Sequence, residues 1–183
     1  TLIGVTFGVR KGSAAFYLAG FALAATWLIA FALVPSRVRP NRRLGADIAV
    51  GLGAGVTMFG VFLAGAWVLS RVPLLDQAIR DVFTTADTST MSWVVALAGV
   101  NAVAEELFFR GTLIDAAPRR FASVAGVVPY ALTTVPSGNA ALVIAAVVMG
   151  AVFTILRIRT GALTASIATH LSWSALMIAL FPR

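Results

Sequence analysis

Six long apolar runs dominate this chain, and short polar or basic segments separate them. Several of these runs reach the ~20 residues that a helix needs to cross a bilayer. The ends of the runs are marked by arginines, by prolines or by a tight turn. The pattern therefore predicts six membrane spans, at residues 14–34, 46–69, 91–113, 121–135, 140–156 and 162–180.

The segment between the second and third runs, residues 70–90, has a different pattern. Its apolar side chains recur at helical spacing, and its charged side chains lie opposite them. The apolar set is Leu75, Ile79, Val82 and Phe83, and the charged set is Asp76, Arg80 and Asp81. This arrangement predicts a short amphipathic helix that lies at the membrane interface.

Glycines are concentrated in the second run. Gly51 and Gly55 form a small-xxx-small pair, which allows two helix backbones to approach closely. Gly53, Gly60 and Gly65 in the same run also suit close packing. We interpret all five as packing residues without a chemical role.

The composition agrees with the membrane pattern. Of the 183 residues 60% are hydrophobic and 11% are charged, and the mean hydropathy is +0.95, which excludes a soluble domain of this size. The predicted class is an all-α, polytopic transmembrane helix bundle of about six spans plus the interfacial helix. Because there is no Cys, a disulfide, a thiolate nucleophile and a thiolate metal site are excluded. The chain starts at Thr1 rather than Met, so we expect an N-terminal part to be missing and the first run to be a retained span.

The net charge of +7 is explained better by membrane topology than by nucleic-acid binding, because the arginines lie at the ends of the apolar runs. Six spans place the loops 35–45, 114–120 and 157–161 on one side. With Arg110, this side carries nine of the 14 basic residues: Arg37, Arg39, Arg42, Arg43, Arg110, Arg119, Arg120, Arg157 and Arg159. The positive-inside rule predicts that this side is cytoplasmic.

Two adjacent acids and an arginine interrupt the third run. Glu106 and Arg110 are four residues apart and share a helix face, so an ion pair that fixes helix packing is their favoured role. Glu105 points about 100° away, toward the face of Asn101. It has no basic partner on its own helix, and a carboxylate in hydrocarbon needs a reason, so we assign it a function.

The only histidine, His170, lies in the sixth run. By helix rise, His170 and the two glutamates are both roughly 10–12 Å below the cytoplasmic surface, which predicts one buried polar site. A carboxylate in an apolar cavity can take a proton from water, and an imidazole can orient that water or stabilise an oxyanion. Ser174 shares the face of His170 and could add a hydrogen-bond donor. These groups together indicate hydrolysis, although His170 could also simply bond a carbonyl of a neighbouring helix.

The spacing Glu105-Glu106-x-x-x-Arg110 resembles the EExxxR motif of the CPBP family, which comprises the CAAX proteases and bacteriocin-processing enzymes. A second likeness runs from residue 149 through an Arg-Thr-Gly turn to His170, and it resembles the last core segment of that family. By position, the resemblance implies that Glu105 activates water, that Glu106 and Arg110 support it, and that His170 is the histidine of the last motif.

The resemblance covers roughly residues 90–180. It implies two domains: residues 1–89, with two N-terminal transmembrane helices and the interfacial connection, and residues 90–183, a CPBP-like core of four transmembrane helices. We further expect an integral protein of a bacterial plasma membrane, and the distribution of the basic residues predicts that its polar site opens toward the cytoplasmic side.

Two positions depart from the family pattern. Ser174 stands where the last motif has Asn or Asp, and Thr134 stands where the middle motif, FxxxH, has its histidine. The aromatic position of that middle motif is Tyr130. The catalytic candidates are Glu105, His170 and Ser174, and the supporting candidates are Glu106, Arg110, Asn101 and Thr134.

Ligand counting predicts no metal site. One His and two adjacent Glu supply at most three side-chain ligands, and adjacent helix positions diverge by about 100°. A divalent metal is implied by the family resemblance alone, because these enzymes are often labelled metalloproteases.

The expected function is an intramembrane endopeptidase that hydrolyses a peptide bond near the cytoplasmic leaflet with water activated by Glu105. Its expected partners are membrane lipid and a membrane-anchored or amphipathic peptide substrate, with no nucleic acid. The alternative is a catalytically degenerate protein of the same scaffold that serves as a subunit or chaperone of another membrane protein. A proton or solute carrier that uses Glu105 is a third, weaker reading, because no inverted repeat supports it.

Overall fold

The computed structural model describes residues 8–10, 12–34, 43–87 and 91–181. Over these residues the backbone forms helices and turns, with no strand. The helices are α1 (Ala14–Leu33), α2 (Leu44–Leu69), α3 (Pro73–Asp87), α4 (Met91–Ala116), α5 (Ala122–Thr134), α6 (Ala140–Thr160) and α7 (Thr164–Leu180). The all-α class is therefore confirmed, and an apolar helix lies at each of the six predicted positions. Arg37, Arg39 and Arg42 of the first predicted loop lie outside the described residues.

Four of the apolar helices are long and apolar enough to cross a membrane: α1, α2, α4 and α6, with 20 to 26 residues each. Helix α7 is shorter, at 17 residues, and α5 has 13. Single 3-10 turns, Arg119–Phe121 and Val135–Ser137, extend α5 at both ends. With these turns the segment rises about 30 Å, which is close to the thickness of the hydrocarbon core.

The helices pair in the directions that a six-span topology requires. Helices α2 and α7 run parallel, since Gly51 faces Ala165 near their N-termini and Phe62 packs on Trp173 further along, with ring centroids 4.9 Å apart. Helices α1 and α4 are also parallel, because Gly20 packs on Leu97 and Trp27 stacks on Phe108. Helices α5 and α6 are antiparallel neighbours joined by one turn.

Two of the predicted loops meet at one end of this bundle. An ion pair joins Arg157 of α6 to Asp115 of α4, with Nη2 and Oδ1 2.8 Å apart. At the opposite end α3 packs on the turn before α6, where the Asn139 side-chain amide donates to the Ala78 carbonyl at 2.8 Å. The amphipathic helix is thus present and lies away from the arginine-bearing loops.

The prediction of close glycine packing is confirmed for one pair and wrong for the others. A Cβ built on Gly51 would lie 2.6 Å from the Ala165 carbonyl oxygen, and one on Gly55 would overlap the Ser172 side chain. A Cβ built on Gly53, Gly60 or Gly65 would instead meet no atom within 4 Å.

These positions give a matched pair of variants for helix packing. We expect Gly55→Val to lower the melting temperature in detergent, because overpacking at a tight contact costs about 1–3 kcal/mol. Gly53→Val adds the same side chain to the same helix in open space and should leave the melting temperature near that of the wild type. Equal melting of the two variants would contradict the packing of α2 on α7.

Candidate active site

Helix α4 changes its winding at the two glutamates. Residues Met91–Glu105 are regular α-helix, and Glu106–Leu113 are π-helical. The sequence pattern predicts a regular helix here, so the wider turn is a difference from the expectation. π-Helical segments are rare and frequently occur at functional sites. The change of winding falls between the two acids, so Glu105 belongs to the α-helical part and Glu106 to the π-helical part.

Glu106 and Arg110 form the ion pair that their spacing predicts. The Arg110 Nη1 donates to Glu106 Oε1 at 3.0 Å, and both side chains are completely buried. The Nδ1 of His170, from α7, lies 3.4 Å from the same carboxylate oxygen, close enough for an electrostatic contact although no hydrogen bond is formed. The carboxylate of Glu106 is therefore shared between an arginine on its own helix and the histidine of another.

Glu105 has a different partner. The hydroxyl of Tyr130, on α5, donates a hydrogen bond to Glu105 Oε2 at 3.0 Å. Tyr130 is buried, whereas Glu105 is only partly buried. Glu105 also interacts electrostatically with His170, Glu106 and Arg110. We call Glu105, Glu106, Arg110, Tyr130 and His170 the polar cluster.

Aromatic rings enclose this cluster. The Arg110 guanidinium carbon lies 4.3 Å from the ring centroid of Tyr130 and 5.1 Å from that of Phe153. Phe153 in turn stacks on the imidazole of His170, with centroids 4.8 Å apart. A buried cation over aromatic faces is favourable by about 2 kcal/mol or more when desolvated, so the rings help to hold Arg110 inside the bundle.

Several atoms of the polar cluster have no hydrogen-bond partner among the described residues: Glu106 Oε2, Arg110 Nε and Nη2, and His170 Nδ1. Buried polar atoms in native proteins are nearly always paired with protein groups or water. The polar cluster therefore has unused hydrogen-bonding capacity for water.

Three residues singled out in the sequence lie outside the polar cluster. The Asn101 side-chain amide donates to the carbonyls of Gly20 and Leu97, so it joins α4 to α1. The Thr134 hydroxyl donates to the Ala131 carbonyl of its own helix at 2.7 Å. Ser174 is partly buried, and no hydrogen bond links it to any other described residue.

Arg157 was interpreted as one of the arginines that set the topology, and its position corrects that reading. It is buried, its Nε donates to the Arg110 carbonyl at 3.1 Å, and its Nη2 pairs with Asp115. It thus holds the π-helical segment of α4 against α6. No signal of this role was present in the sequence, because arginines that set the membrane topology also lie at the ends of apolar runs.

The His, Asp and Glu side chains near the polar cluster do not form a site for a resident metal ion. In the part of the chain that the structure describes, no three His, Asp or Glu side chains converge closely enough to hold one. The Glu106 oxygen nearest to His170 already accepts from Arg110, and that guanidinium would repel a cation at the same place. The chemistry below is therefore derived from the side chains alone.

One family model matches the stretch of the chain that carries the polar cluster. Residues 87–176 match the family model described as Type II CAAX prenyl endopeptidase Rce1-like. The matched stretch contains all five residues of the polar cluster. Comparisons with curated proteins and with solved structures gave no match. Residues 87–176, just under half of the chain, are therefore similar to the Rce1-like CAAX prenyl endopeptidases, a family of membrane proteases.

Proposed function

We propose that this protein is an intramembrane endopeptidase that hydrolyses a peptide bond with a water molecule activated by Glu105. One observation carries the proposal: a partly accessible carboxylate, a histidine that faces a second carboxylate and a tyrosine hydroxyl converge in one buried cluster from three helices. Burial of so many ionisable groups in an apolar bundle is costly, and such groups are found where function requires them.

Glu105 is the proposed general base. Its Oε2 is occupied by Tyr130, and its Oε1 makes no hydrogen bond with a described residue, so Oε1 is available to a water molecule. The carboxylate takes one proton from the water as oxygen attacks the peptide carbonyl carbon. It then returns the proton to the leaving amine, which restores the carboxylate for the next turnover.

His170 is proposed to orient the attacking water. Its Nδ1 faces Glu106, which favours the tautomer with the proton on Nδ1 and leaves Nε2 as a hydrogen-bond acceptor. An acceptor at Nε2 and a second at Glu105 Oε1 would together fix both protons of a water molecule. Glu106 acts through His170 and Arg110, so it is a positioning residue.

An apolar cavity supports a membrane-anchored or amphipathic substrate. A cavity of about 180 Å³ lies between α2, α3, α6 and α7, and Trp173 forms part of its wall. The Trp173 ring is 6.3 Å from the imidazole of His170, so the cavity adjoins the polar cluster. We propose that a lipid anchor or apolar end of the substrate occupies it while the scissile bond faces Glu105. The arginine-bearing loops lie at the end of the bundle opposite to α3, so we propose that the polar cluster opens toward the cytoplasmic side while the cavity extends from it toward the α3 end.

The competing proposal is a scaffold that has lost its chemistry and serves another membrane protein as a subunit or chaperone. The observation that favours it is Thr134, which stands in place of the middle-motif histidine and whose hydroxyl is bonded within its own helix. This proposal predicts that the purified protein cleaves no peptide under any condition.

The proposal is tested by cleavage of a fluorogenic, lipid-anchored peptide by the purified chain in liposomes. We expect His170→Phe to lower kcat by about 10²-fold, because the ring keeps its stacking on Phe153 but has no nitrogen to orient water. KM and the melting temperature should change little. A His170→Phe variant with full activity would contradict the assignment of His170.

A further inference from the structure

We propose that Tyr130 is a catalytic residue that stabilises the oxyanion, and that it takes the place of the histidine missing at position 134. This inference rests on the proposed function and adds one catalytic residue to it. Peptide hydrolysis by water passes through a tetrahedral intermediate whose oxygen is negatively charged. Sites for such chemistry provide preorganised hydrogen-bond donors to that oxygen.

Few donors in the polar cluster can reach a substrate. Arg110 is completely buried under aromatic rings, and the tautomer favoured for His170 directs its proton at Glu106. The Thr134 hydroxyl is engaged with Ala131. The hydroxyl of Tyr130 remains, and it already touches the proposed base at 3.0 Å. The reacting carbonyl must lie next to that base, so it also lies next to this hydroxyl.

The position on the helix supports the same assignment. Tyr130 and Thr134 are four residues apart on α5, so they share one helix face. A donor at Tyr130 is therefore one turn away from the place of the missing histidine. The Tyr130 ring is held by contacts with the Phe109 ring and the Arg110 guanidinium, which fixes the direction of the hydroxyl.

The Tyr130 hydroxyl, which donates to Glu105, can change its acceptor as the reaction proceeds. Before attack, the Glu105 carboxylate is charged and is the best acceptor available to Tyr130. When Glu105 takes the proton from water, its charge disappears while a negative charge appears on the carbonyl oxygen. The Tyr130 hydrogen bond then moves from the neutral acid to the oxyanion. No proton leaves Tyr130 in this step, and the proton held by Glu105 goes on to the leaving amine.

The kinetic test compares Tyr130→Phe with Thr133→Val in the liposome cleavage assay. Tyr130→Phe should lower kcat by roughly 10²- to 10³-fold with little change in KM, as is typical when one oxyanion donor is removed. It should also weaken binding of a peptide phosphonate, a tetrahedral anionic analogue, by a similar factor. Thr133→Val removes a hydroxyl that bonds only within its own helix, so it should keep wild-type kinetics.

A second measurement does not depend on the folding of a Tyr130 variant. The chain has two tyrosines, so Tyr17→Phe leaves Tyr130 as the only site for 3-fluorotyrosine labelling. The buried Tyr17 hydroxyl makes no hydrogen bond with a described residue, so its removal should not destabilise the protein. We expect the fluorine resonance to shift when the phosphonate binds. An active wild type with an unshifted resonance, or with a Tyr130→Phe variant of equal kcat, overturns this inference and leaves the proposed function intact. A wild type that cleaves no peptide overturns both.

Discussion

Glu106→Gln is expected to destabilise the protein by about 3–5 kcal/mol, which corresponds to a fall in melting temperature on the order of 10 °C. The reason is the complete burial of Arg110, whose guanidinium then has no counter-charge. The amide still offers one acceptor oxygen, but it carries no charge. The aromatic rings around Arg110 reduce this penalty without removing it.

The double variant Glu106→Gln with Arg110→Met separates stability from activity. Methionine removes the buried charge and keeps an unbranched apolar side chain, so part of the lost stability should return. Turnover should remain low, because Glu106 also faces Nδ1 of His170. The measurement is detergent melting together with the liposome cleavage assay. A single Glu106→Gln variant that melts like the wild type would contradict the buried ion pair.

The fold was largely predictable because the bilayer itself dictates the pattern. A spanning helix must be apolar over most of its length, so the six runs and their boundaries could be read from hydropathy. The exception was the run at 121–135, whose α-helix spans only Ala122–Thr134 and is extended by 3-10 turns. The division of the chain at residue 90 remains a prediction.

The site was predictable where the geometry of single helices determines the position of a side chain. The spacing of Glu106 and Arg110 on one helix fixed their pairing, and helix rise placed His170 at their level. The hydrogen bond from Tyr130 to Glu105 joins residues 25 positions apart on different helices, and no periodicity encodes it. The hydrogen bond from Arg157 to the Arg110 carbonyl in the π-helical segment likewise joins distant residues.

Local acceptors explain why the remaining candidates lie outside the polar cluster. Thr134 shares a helix face with Tyr130, but a threonine hydroxyl readily bonds a carbonyl one turn earlier in its own helix. Asn101 has two carbonyl acceptors close by, one of which belongs to α1. The helix face on which a short polar side chain lies does not determine which acceptor it bonds.

Glu105→Gln is expected to abolish turnover and to leave the protein folded. The amide keeps the size of the side chain, and its oxygen can still accept the hydrogen bond from Tyr130. It cannot take a proton from water, and loss of a general base typically costs about 10²- to 10⁴-fold in rate. Asp76→Asn is the matched control, since it makes the same change in a carboxylate of an ion pair on α3, away from the polar cluster.

The central claim is tested most directly by the initial rate of cleavage of the lipid-anchored peptide by wild type, Glu105→Gln and Asp76→Asn in liposomes, with melting temperatures measured on the same preparations. The account predicts cleavage by wild type and by Asp76→Asn at equal rates, and a rate at least about 10²-fold lower for Glu105→Gln at an unchanged melting temperature. Equal rates for wild type and Glu105→Gln would contradict it.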